Sequence, residues 1–270
     1  MHTRSVILLL ACVAVMSACS TRSLKTAAPA PSTEIKSLLW VGNSFFYYNN
    51  SMHDHAARLM VASGASGLRN SSATISGSSL KWHDVEAYLR PNGVGSVSIS
   101  IKEEVSFPTH DKLFDGVMMM DCSQCPVLPQ LQPLFHEYIA KHSATARKHG
   151  AAPILFMSWA YGSQMTAKVA AEYIKAGKQN RALVVPAGLA FANAIAERPD
   201  LDLYAMDRRH PSLMGTYLAA CTVVASVYKT NPVGSTYTAG LPDDVAAFLQ
   251  RIAWDTSHTF HAKEGRGGLW

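Results

Sequence analysis

A chain of 270 residues, 48% hydrophobic and 16% charged, is long enough to bury a substantial core, and no repeat or second domain is visible in it. Its net charge of +5 is spread without basic blocks and is too mild to argue for nucleic acid as a partner. Past the amino-terminal leader, no stretch stays apolar for long enough to cross a bilayer.

That leader places His2 and Arg4 before an apolar run from Val6 to Met16, followed by Ser17-Ala18-Cys19. The run is too short and wrongly flanked for a membrane span, so residues 1–18 are expected to be a secretory signal. Small residues ahead of a cysteine resemble a bacterial lipobox, although Met16 stands where Leu is usual. The expectation is a lipid anchor at Cys19 in the cell envelope, periplasmic or outer-membrane; the alternative is ordinary cleavage after Ala18 with a free thiol. Residues 19–34, rich in Ser, Thr, Ala and Pro, suit a flexible tether. The folded domain is then expected over 35–255, with 256–270 as a tail.

The first predicted strand is Leu38-Leu39-Trp40-Val41, which stops at Gly42-Asn43-Ser44. Four apolar residues bounded by a turn-former suit an interior parallel strand, and Gly42 supplies freedom where it bends. Ser44 would then sit at the carboxyl edge of the sheet, where open α/β folds put their chemistry. Met52, Ala56, Leu59 and Met60 have helical spacing over 51–63, and a second strand follows at 70–75, closed by Gly77. Leu80 to Leu89 predicts a helix with Trp82, Val85 and Leu89 on one side. Ser96 to Ile101 alternates strictly and suits a half-exposed strand or hairpin arm inserted at the sheet edge.

Asp115 to Met120 predicts the third core strand, its Met triplet filling buried space without help from a metal. A helix over Leu131–His149 ends at Gly150, and Pro153–Trp159 is the fourth strand. A helix over Thr166–Lys178, the fifth strand at Ala182–Val185 and a helix over Gly188–Arg198 follow. Leu201 to Tyr204 returns to the sheet edge, and Pro211 opens a last helix in which Cys221 is expected to be a buried free thiol. Strands alternating with helices imply a parallel sheet covered on both faces.

Asp207 and His210, three apart and followed by Pro211-Ser212, supply the two partners a serine nucleophile requires. With Gly42-Asn43-Ser44-Phe45 they resemble two blocks of the SGNH (GDSL-like) hydrolases, in the branch whose first block is Gly-Asn-Ser. The last block, Asp207-x-x-His210-Pro211-Ser212-x-x-Gly215-x-Tyr217-Leu218, is the more specific. Ile75-Ser76-Gly77-Ser78-Ser79-Leu80 is similar to the second block, and Val184 to Gly188 to the segment leading to the final strand; the resemblance spans about 36–232. It implies a three-layer α/β/α sandwich with a five-stranded parallel sheet of flavodoxin type and no cofactor. Ser44 would be the nucleophile, His210 the base and Asp207 its orienting acid, with the oxyanion held by the backbone N–H groups of Ser44 and Gly77. The family's third donor, an Asn past the third strand, is missing from Asp121-Cys122-Ser123-Gln124-Cys125-Pro126. Ser123 is closest in register and Gln124 closest in chemistry, and the choice stays open.

The pair Cys122 and Cys125 lacks the second ligand pair a zinc site needs, so a local disulfide is expected in an exported chain and no metal is assigned. His53, His55 and His83 are expected to be packed or solvated. The function expected is a serine esterase or deacylase, monomeric, acting on an extracytoplasmic carbohydrate, lipid or small-molecule ester. The alternative is an impaired binding module of the same fold; a thiol-disulfide protein built on Cys122 and Cys125 is a third, weaker reading.

Overall fold

A computed structural model describes residues 34–91, 97–99, 102–107 and 112–265; the expected signal, the tether up to residue 33 and Cys19 lie outside the described residues. Its centre is β1 (Ser37–Gly42), buried along nearly its whole length as a continuous apolar run requires when helices cover both faces of a sheet. β1 pairs in parallel with β2 (Arg69–Thr74) on one side and β5 (Gly116–Met119) on the other. β5 then pairs in parallel with β6 (Ala152–Phe156), and β6 with β7 (Leu183–Val185). The sheet order is β2-β1-β5-β6-β7, so the strand order reverses beside β1, and crevices at the carboxyl ends of strands form at such a reversal.

Alternation along the strands divides the core into two layers. Leu38, Trp40, Met118, Ile154 and Phe156 pack with α1 (Ser44–Tyr47), α2 (Met52–Ala62), α6 (Ala187–Glu197), α7 (Leu213–Val227) and α8 (Asp243–Glu264). Leu39, Val41, Val117, Met119 and Leu155 face the other way, onto α3 (Val85–Leu89), α4 (Gln132–Lys148) and α5 (Ser163–Asn180). Neighbouring residues on a strand point to opposite faces, so one sheet serves both layers.

Three expectations are corrected. The segment 80–89 is a 3-10 turn at Leu80–Trp82 followed by α3, because His83 is extended and the Asp84 carboxylate caps α3 by accepting the Ala87 N–H. Leu80, not Trp82, shares the buried side with Val85 and Leu89; Trp82 is 61% exposed. Of the strand or hairpin arm expected over 96–101, β3 (Ser98–Ile99) is indeed an arm paired antiparallel with β4 (Val105–Ser106), but the pair forms a separate two-stranded sheet and is not part of the main sheet's edge; residues 96, 100 and 101 lie outside the described residues. At the carboxyl end α8 runs unbroken to Glu264 with Phe260 buried, so the fold continues past residue 255.

Candidate active site

Ser44 opens α1 directly beyond the carboxyl end of β1. Asn43 caps that helix, its Oδ1 accepting the Phe45 N–H at 3.2 Å, which fixes the backbone on which Ser44 sits. The Asn43 amide nitrogen donates to the Ser78 carbonyl at 3.0 Å and lies 3.5 Å from that of Asp121, so one side chain ties together the loops after β1, β2 and β5. Those are the loops expected to carry nucleophile and oxyanion donors. Gly77 has φ +69°, a conformation that side chains rarely adopt, at the third position of the turn closed by the Ser78 N–H to Ile75 carbonyl bond.

The loop before α7 brings the other two residues across. A bridge between Tyr204 and Pro211 and an Ala205 N–H to His210 carbonyl bond of 2.7 Å pin it at both ends. Ser212 caps α7, accepting the Gly215 N–H while donating to the Asp202 carbonyl. His210 Nε2 lies 2.8 Å from Ser44 Oγ, and His210 Nδ1 lies 2.5 Å from Asp207 Oδ2. The other Asp207 oxygen accepts the backbone N–H groups of Arg209 and His210, both at 3.0 Å. The imidazole hydrogen bond, then these two, hold the Asp207 carboxyl down at about 2, so it is ionised at neutral pH. An ionised Asp207 makes Nδ1 the donor and leaves Nε2 free to accept from Ser44 Oγ, the tautomer a general base needs.

Residues to which the sequence assigned no role complete the setting. The Tyr48 ring stacks on His210 with centroids 4.0 Å apart and planes 5° apart, while Phe45 meets the same ring edge-on at 5.4 Å. Asn49 donates to the Pro211 carbonyl at 2.9 Å and to Thr216 Oγ1 at 2.8 Å, clamping the histidine loop to the turn after Ser44. Asn49, Asn50 and Ser51 all have positive φ, which asparagine tolerates best of the non-glycine residues. The only prior signal was Phe45-Phe46-Tyr47-Tyr48-Asn49-Asn50, an aromatic and amide run with no recognisable spacing.

The histidines set aside in the sequence take packing roles. Buried His55 bridges the Asn49 carbonyl and the Tyr237 hydroxyl, and half-buried His53 faces Trp40. His83 is buried behind the second loop, its Nε2 3.0 Å from Ser78 Oγ, which donates to the Gly42 carbonyl; burial pushes its pKa down to about 4. The neutral ring therefore donates from Nε2 to Ser78.

Cys122 and Cys125 are joined, with Cα atoms 5.1 Å apart, closing the turn in which Ser123 is buried and Gln124 half-buried. Asp121, before that turn, accepts the N–H groups of Leu80 and Cys122, and burial pushes its pKa up to about 6. Its carboxylate and the two sulfurs lie within 4.8 Å of one another, but both sulfurs are spent on each other and offer no thiolate to a metal. Cys221 is a buried free thiol whose pKa burial raises.

No protein-family model matches the chain, and no curated protein matches it in sequence. Solved structures match its fold. A DUF4886 family protein from Bacteroides uniformis aligns with a TM-score of 0.58 at 15% identity, covering 85% of this chain and 96% of its own. TesA aligns with a TM-score of 0.51 at 17% identity, covering 72% and 98%. Axe2, an acetylxylan esterase from Geobacillus stearothermophilus, aligns with a TM-score of 0.50 at 15% identity, covering 71% and 94%. At these identities the likeness is one of fold.

Proposed function

We propose that the protein is a serine esterase of the SGNH type. The observation that carries the reading is the unbroken hydrogen-bonded line Ser44 Oγ, His210 Nε2, His210 Nδ1, Asp207 Oδ2 at the strand-order reversal. The fold likeness to an acetylxylan esterase for which catalytic mutants replace a serine and an aspartate lends support. In the proposed reaction Ser44 attacks the ester carbonyl as His210 takes its proton. The backbone N–H groups of Ser44 and Gly77 receive the negative charge developing on the carbonyl oxygen. His210 then protonates the leaving alcohol, and water, deprotonated by the same ring, hydrolyses the acyl-serine. Asp207 stays ionised throughout and stabilises the imidazolium. Asn43 does not serve as the missing third donor, since its two amide hydrogens are directed to the carbonyls of Ser78 and Asp121; Ser123 and Gln124 remain the candidates.

If the three residues act as a unit, their losses do not add. Ser44→Ala is expected to lower hydrolysis of a short-chain nitrophenyl ester by at least about 10³-fold, and adding His210→Ala to lower it little further. Asp207→Asn is expected to be severely impaired with its circular dichroism unchanged, because it favours the wrong imidazole tautomer. The lack of an Asn in 121–126 favours a second reading, a binding module that has lost an oxyanion donor. Wild-type protein inert on every ester tried would select it. We further propose that Cys19 carries a lipid anchor. Cys19→Ala should then release the protein from the detergent phase on partitioning, and unchanged partitioning would contradict the anchor.

A further inference from the structure

The loop bearing Asp207 and His210 carries two arginines between them and uses them differently. Arg208 is spent on Asp202, with Nη1 2.8 and 2.9 Å from the two carboxylate oxygens. The Arg209 guanidinium has no carboxylate within 4.0 Å among the described residues, Asp207 two positions before it being occupied by the imidazole and two backbone N–H groups, one of them that of Arg209. Its guanidinium instead lies over the Tyr161 ring, 5.4 Å from the centroid. A guanidinium lying against an aromatic ring keeps its planar fork of N–H groups free for a bidentate acceptor.

The backbone of Arg209 is fixed. Its carbonyl accepts the Trp159 indole N–H at 2.9 Å, and Trp159 is buried in a stack between Phe45, next to the nucleophile, at 4.8 Å and Phe191 at 4.1 Å. Tyr161, 38% exposed, also lines a cavity of about 390 Å³ with Trp159, Phe191, Ile195, Tyr204 and Arg208. Aromatic and aliphatic walls lower the local dielectric and strengthen any charge pairing made at the rim. Among the described residues the cation is thus unneutralised, held on a rigid support one residue from His210, and set beside an apolar recess.

We infer that Arg209, seated on Tyr161, is an anion-recognition subsite, and that the substrate is an ester bearing a carboxylate or phosphate group. The inference deepens the esterase reading and rests on it. It is tested with three aryl acetates that differ in charge, namely phenyl acetate, 4-acetoxybenzoate and 4-acetoxyphenyl phosphate. The measured quantity is the ratio of kcat/KM for each anionic ester to that for the neutral one, in wild type and Arg209→Gln, because intrinsic reactivity cancels in the change of ratio.

Arg209→Gln is expected to lower the ratio about tenfold, chiefly through KM, and Arg209→Lys to restore part of it, since charge returns without the bidentate fork. The wild-type ratio should also fall as salt is raised. A fall confined to 4-acetoxybenzoate assigns the subsite to carboxylates, and one confined to the phosphate assigns it to phosphate groups. Ratios that stay within twofold for both esters in Arg209→Gln overturn the inference while leaving the esterase reading intact, provided phenyl acetate is hydrolysed by the wild type. Hydrolysis of none of the three removes both.

Discussion

Tyr48 lies flat on the imidazole that becomes cationic in the reaction proposed for Ser44. A parallel ring 4.0 Å away both limits rotation of His210 and offers its π face to the imidazolium. Such contacts contribute on the order of 0.5–1.5 kcal/mol, which corresponds to about two- to tenfold in rate. Tyr48→Leu is therefore expected to lower kcat by about that factor with KM little changed, and Tyr48→Phe to stay close to wild type. An equal loss in Tyr48→Phe would place the effect in the hydroxyl instead of the stack. At this scale the sequence showed the residues that stand in known blocks, Ser44, Asp207 and His210. It did not show Tyr48, Asn49 or the tie made by Asn43, because a stack or a clamp between residues 162 apart leaves no local pattern.

Among the elements, α7 sets the position of the histidine loop, and Gly215 sets the position of α7. A Cβ on Gly215 would stand 2.2 Å from the Leu203 carbonyl oxygen and 2.9 Å from the Phe191 ring, so the helix start and the strand-edge loop could not keep their spacing. Gly215→Ala is expected to destabilise by about 1–3 kcal/mol in urea unfolding despite the better helix propensity of alanine, and to lower the proposed esterase activity as the loop shifts. Unchanged stability would mean that the close approach relaxes freely.

The core strands β1, β5, β6 and β7 were legible as short apolar runs ended by turn residues, and a parallel sheet covered on both faces followed from their alternation with helices; the order of the strands did not, because which strands pair depends on contacts distant in sequence. Helix α8 was not legible as a whole. Buried Gln250, Thr256, Ser257 and His261 interrupt its apolar pattern, and the stretch before it is rich in turn residues. The break at His83 and Asp84 was hidden because a side-chain cap resets a helix without disturbing the apolar spacing around it.

For the whole molecule, two buried groups behind the active-site loops make stability depend on pH in opposite senses. His83 ordinarily titrates near 6.5 but is held at about 4. The unfolded chain thus takes up a proton that the folded one refuses, and this contribution, present above pH 6.5, is lost as pH falls through 4. Asp121 ordinarily titrates near 3.8 but is raised to about 6. Its contribution is complete below pH 3.8 and lost as pH rises through 6. Relative to wild type, His83→Gln should gain stability between pH 7 and pH 4.5, and Asp121→Asn should lose its advantage over the same interval. Urea midpoints at the two pH values check both, and differences from wild type that do not change with pH would contradict the assigned burial effects.

The proposed reaction depends above all on Ser44 being a nucleophile activated by His210 and Asp207. Fluorophosphonate labelling followed by peptide mass spectrometry tests it most directly, because the probe needs an activated serine and no knowledge of the substrate. One phosphonyl adduct is expected, on Ser44, lost in Ser44→Ala and strongly slowed in His210→Ala and Asp207→Asn. An adduct on another serine, or wild-type protein that takes up no probe while folded, would contradict it.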